Sequence, residues 1–78
     1  MFNVRLREIR MKRGLTQQKT ADALGLALRS YQCYETGSRA PSLDMLVKIG
    51  DLFDVSIDYL LGRDSFLKSL GVSVDELL

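Results

Sequence analysis

Apolar residues along the chain recur at three- and four-residue spacings, and glycine or a small hydroxyl residue interrupts them at short intervals. Leu6 and Ile9 mark the inner face of a first helix that Asn3 would cap and Gly14 would stop. Thr16 stands where it can cap a second helix ending at Gly25. Ala27 to Glu35 predict a third, closed by Thr36-Gly37, with Ala27, Tyr31 and Tyr34 as its inward stripe. Ser42, behind Pro41, would cap a fourth helix with Leu43, Leu46, Val47, Ile49 and Phe53 as its apolar face. Ser56 would cap a short fifth, Ile57 to Leu61, stopped by Gly62. No segment alternates with a period of two between hairpin turns, so the expected fold is all-α.

Residues 64–78 form a tail with an internal echo of the fifth helix: Asp54-Val55-Ser56-Ile57-Asp58-Tyr59-Leu60-Leu61 returns as Gly71-Val72-Ser73-Val74-Asp75-Glu76-Leu77-Leu78. Ser73 and Glu76 have capping-box spacing, which predicts a last helical turn. Phe66, Leu67, Leu70, Val72, Leu77 and Leu78 are many apolar side chains for a terminus left in water. Two burials are open to them: packing back onto the domain, or packing against a second subunit.

Composition narrows the function more than the fold. With 78 residues there is room for one small domain. No apolar run reaches the roughly 20 residues that span a bilayer, and no secretory signal pattern is visible. The single cysteine, Cys33, has no internal disulfide partner, in keeping with a reducing cytoplasm. The absence of histidine removes His-Cys zinc sites and His-based triads, and leaves Cys33 without its usual base. No glycine-rich phosphate loop or paired carboxylate site appears either, so we expect no enzyme activity, cofactor or metal.

Net charge is only +1, but its distribution is uneven. Residues 1–40 carry eight Lys and Arg against three acids, +5, while residues 41–78 carry three against seven, −4. That asymmetry suits a phosphate-binding face on one half of the molecule, or is merely solvated surface charge.

The sharpest chemistry lies between Leu15 and Gly37, a capped helix, a glycine turn and a second helix (about residues 16–35). Such a pair can push its second helix into the DNA major groove. At about 100° per residue, Leu28, Arg29, Gln32 and Cys33 share the outer face of that helix. Arg29 can bond guanine O6 and N7 together, and Gln32 can do the same with adenine N6 and N7. Leu28 either meets a thymine methyl or is an ordinary exposed leucine, and Cys33 is either a groove contact or a half-buried space filler. Phosphate contacts are expected from the rim: Gln17 and Gln18 at the tip of the second helix, Ser38 and Arg39 after the third.

Leu15-Thr16-Gln17, Ala21, Leu24-Gly25, Tyr34-Glu35-Thr36-Gly37, Arg39-Ala40-Pro41-Ser42, Leu46 and Asp54 to Gly62 resemble the lambda-repressor-like, or XRE-type, helix-turn-helix family over about residues 3–63. The resemblance implies a five-helix domain over residues 1–63 that binds operator DNA, commonly as a two-fold dimer. It assigns base reading to Leu28, Arg29, Gln32 and Cys33, and phosphate contact to Gln17, Ser38 and Arg39. Spacing and family pattern together suggest that Arg10 pairs with Glu35. Two departures stand out: Lys19-Thr20 replaces the usual acidic-then-leucine pair, and Ala27 replaces the usual Ser or Thr before the recognition helix. A transcriptional regulator acting as a repressor is therefore the leading expectation. A protein-interaction module on the same fold is the alternative, favoured by the apolar tail and low net charge.

Overall fold

The computed structural model describes residues 1–71. Among them are six helices and no strand: α1 (Phe2–Lys12), α2 (Gln17–Leu24), α3 (Leu28–Thr36), α4 (Leu43–Phe53), α5 (Ile57–Leu60) and α6 (Asp64–Ser69). The capping box at Ser73 and the apolar residues Val72, Leu77 and Leu78 lie outside the described residues.

Three helices begin where a hydroxyl side chain accepts the backbone N–H three residues on: Thr16 from Lys19 (3.1 Å), Ser42 from Met45 (3.1 Å) and Ser56 from Tyr59 (3.0 Å). Each such cap is worth about 1 kcal/mol. The first helix departs from expectation. It begins at Phe2, so Asn3 lies inside it and caps nothing. The earlier start lets Phe2, half-buried, pack against the core. The Asn3 amide instead lies beside Gly37, where an added Cβ would stand 3.3 Å from Asn3 Nδ2.

The core gathers one face of every helix. Leu6, Ile9, Ala21, Tyr31, Ile49, Phe53 and Leu60 are fully buried, with Leu24, Tyr59 and Leu67 close behind. On α4 the buried stripe is Leu46, Ile49, Gly50 and Phe53, narrower than the sequence suggested, since Leu43 and Val47 are exposed. Val47 sits about 100° round the helix from Leu46, and Leu43 precedes the buried run. Gly50 lets the loop to α5 close tightly, because a Cβ there would meet the Val55 carbonyl oxygen at 3.2 Å.

Arginines on α1 reach across to the C-terminal half. Arg5 donates to the Tyr59 carbonyl (2.8 Å), forks onto both oxygens of Asp64 (2.6 Å each), and lies over the Tyr59 ring. Just past the end of α1, Arg13 donates from Nε to the Phe53 carbonyl (3.0 Å). The start of the tail is thereby drawn onto the domain as α6, with Leu67 buried, while Phe66 and Leu70 stay exposed.

Candidate nucleic-acid interface

The turn between α2 and α3 is set by Gly25, whose φ of 72° lies in the left-handed region that glycine tolerates best. There Gly25 N–H bonds the Asp22 carbonyl (3.1 Å) and Leu26 N–H the Ala21 carbonyl (2.8 Å), which closes α2 and redirects the chain at once. Ala27 then takes extended dihedrals (φ −65°, ψ 147°), close to those of Thr16, Ser42 and Ser56, but supplies no side-chain cap. It is exposed, not part of an inward stripe, because it precedes the first turn of α3.

Helix α3 is anchored by Tyr31, Tyr34 and Glu35, all buried, the two rings meeting edge to face. Away from the two rings, Arg29 stands exposed and Leu28, Gln32 and Cys33 are half-buried. At the far end the Cys33 carbonyl gathers the N–H groups of Gly37 (3.1 Å) and Arg39 (3.2 Å) and the hydroxyls of Thr36 (3.2 Å) and Ser38 (3.4 Å). This fixes the loop backbone and leaves the Ser38 and Arg39 side chains at the surface.

Glu35 is the centre of the site's polar structure. Arg10 grips both of its oxygens, Nε to Oε2 at 2.6 Å and an Nη to Oε1 at 3.2 Å, and also donates to the Leu15 carbonyl (2.9 Å). The Tyr31 hydroxyl donates to Oε2 and the Gln17 amide to Oε1 (3.2 Å). Burial alone would push the Glu35 carboxyl up, but hydrogen bonds from Arg10, Tyr31 and Gln17 outweigh it and hold the group below its usual value. Burial, reinforced by the carboxylate it faces, pushes the Tyr31 hydroxyl well above its ordinary range.

From this centre the bonding runs outward. Gln17 Oε1 accepts from Gln32 Nε2 at 3.1 Å, joining the tip of α2 to the outer face of α3. Gln18 points another way, donating to Asp22 at 2.9 Å on the exposed side of α2. The backbone N–H groups of Gln17 and Gln18 stay outside the helix's own ladder, as at any helix start. The bonds from Gln17 to Glu35 and Gln32 have no signature in the sequence, since Gln17 lies on α2 and both partners on α3.

The basic half of the chain is less freely positive than its count suggests. Of its arginines, Arg5 and Arg10 are paired with Asp64 and Glu35, and Arg13 is held by a carbonyl. Lys19, Arg29 and Arg39 remain exposed in and just after the two-helix unit. Among the described residues there is no cluster of His, Cys, Asp or Glu that could hold a metal ion. No helix among them is long and apolar enough to cross a membrane.

A family model described as helix-turn-helix matches residues 6–60. The chain is 50% identical over 60 residues to the HTH-type transcriptional regulator AnsR of Bacillus subtilis, covering 77% of this chain and 52% of that protein. It is 45% identical over 65 residues to the uncharacterized HTH-type transcriptional regulator YqaE of the same organism, covering 83% and 56%. Over 48 residues it is 48% identical to the cryptic phage CTXphi transcriptional repressor RstR of Vibrio cholerae, covering 62% and 43%. The chain spans about half the length of the curated relatives it matches. No solved structure matches it at significance. The chain belongs to the lambda-repressor-like helix-turn-helix family.

Proposed function

We propose that this member of the helix-turn-helix family binds double-stranded DNA by sequence and represses transcription, two copies meeting a near-palindromic operator in the cytoplasm. The observation that carries the reading is the division of α3: Tyr31, Tyr34 and Glu35 lock one side into the core while Arg29 stands in solvent beside Leu28, Gln32 and Cys33. In the major groove, Arg29 would take guanine, Gln32 adenine, and Leu28 and Cys33 apolar edges such as a thymine methyl. Gln17 and Gln18 at the start of α2, with Ser38 and Arg39 beyond α3, would hold phosphates and set register. Pairing of two copies is supported by Leu61, Phe66 and Leu70, large apolar side chains exposed near the C-terminal end of the described chain.

Gel-shift titration against duplexes selected from a random pool tests the reading. A preferred sequence, bound more weakly as salt rises, is expected; binding no better than random duplex sinks it. The same exposed apolar residues also support a second reading, docking of another protein on this fold. A stoichiometric protein partner that survives purification without DNA would favour that one.

A further inference from the structure

We propose that Glu35, acting through Gln17, fixes the polarity of the Gln32 amide, so that the base pair facing Gln32 is selected as adenine over guanine. Glu35 is a positioning residue here, and the inference rests on the reading that α3 enters the major groove.

A glutamine amide is ambiguous by itself, because its oxygen and its NH2 group exchange places by rotation about one bond. A carboxylate is not ambiguous. Ionised Glu35 has only lone pairs, so the group that Gln17 turns towards its Oε1, 3.2 Å away, has to be the NH2. That leaves Gln17 Oε1 facing outward, an acceptor that needs a donor. Gln32 supplies it from Nε2 at 3.1 Å, and one of its two N–H bonds is spent. Among the described residues no other hydrogen bond engages the Gln32 amide, so one N–H and one carbonyl oxygen remain to it.

One donor and one acceptor match the adenine edge, which offers N7 as acceptor and the N6 amino group as donor. Guanine presents two acceptors, O6 and N7, and a free glutamine could meet them with both N–H bonds. Tied to Gln17, Gln32 cannot. Arg10 and Tyr31 hold the root of this chain in place, so the preference is imposed from the core.

Selection from a randomised duplex library, followed by sequencing, tests this with the full chain and three variants: Gln32→Ala, Gln17→Met and Gln17→Lys. The full chain should select adenine at one position that Gln32→Ala makes indifferent. Gln17→Met keeps the bulk of the side chain and removes the tie, so guanine should enter there and the adenine:guanine ratio should fall about ten-fold. Lysine at position 17 would present Gln32 with a donor, turn its carbonyl inward and free both N–H bonds, so Gln17→Lys should shift that position towards guanine. Loss of a phosphate contact or of packing at Gln17 would weaken all sequences alike and leave the ratio unchanged. If both Gln17 variants keep the ratio while Gln32→Ala abolishes it, Gln32 reads a base but the tie does not set its choice, and the proposal is overturned. If Gln32→Ala alters no position, Gln32 reads no base and the proposal falls with the reading beneath it.

Discussion

Glu35 accepts four hydrogen bonds from three side chains, and this fixes how the protein should respond to acid. Its folded pKa lies below its unfolded value, so the stability it contributes is complete above the unfolded carboxylate range, about pH 4–5. That contribution is lost as pH falls through the lower folded value. Denaturant titrations at stepped pH should show stability declining below about pH 4, and Glu35→Gln should flatten part of that slope. Thr20 makes a milder case. It is fully buried where the family usually has leucine, and its hydroxyl donates to the Thr16 carbonyl at 2.9 Å, which already accepts the Thr20 N–H. Removing the hydroxyl orphans nothing, so Thr20→Val should change unfolding stability by less than about 1 kcal/mol. Arg29 carries the recognition test at this scale. Arg29→Ala should cost about 1–3 kcal/mol at one base pair of the selected site, whereas an equal loss on all duplexes would make Arg29 a phosphate contact.

At the scale of elements, local chemistry was legible and distant partners were not. Thr16, Ser42 and Ser56 announce their helices because a cap depends only on the next three residues. Asn3 failed as a cap because the helix starts earlier, where Phe2 packs against the core, a tertiary contact. Leu43 and Val47 have the spacing of a buried face, but which part of an apolar arc is covered depends on neighbours that periodicity does not name. The outer face of α3 could be drawn from helical geometry, while the Gln17 to Gln32 bond depends on how α2 and α3 cross. Ala27 offers a direct test of this local logic. Its backbone already has cap dihedrals, so Ala27→Ser should raise stability by about 1 kcal/mol, seen as a melting temperature several degrees higher.

At the scale of the whole molecule, Arg5 makes the longest-range tie given for the described residues, joining α1 to Tyr59 and Asp64. The Asp64 end is partly exposed and the Tyr59 carbonyl end better covered, so the latter should dominate. Arg5→Ala should destabilise the domain by about 1–3 kcal/mol in denaturant titration. It should also speed amide hydrogen exchange in α6 ahead of α2 and α3. Loss confined to global stability, with α6 exchanging no earlier than the core, would mean that Arg5 does not hold the tail.

The same tie has a consequence for the order of events during synthesis. Tyr59 and Asp64 lie 54 and 59 residues beyond Arg5 along the chain. At about 5–20 residues per second, α1 is made seconds before Tyr59 and Asp64 exist to receive its guanidinium. Helices α2 and α3, adjacent along the chain, can pair as they emerge from the ribosome. Helix α1 can thus dock on α3 through Arg10 and Glu35 first, while its Arg5 end stays loose until Tyr59 and Asp64 have emerged.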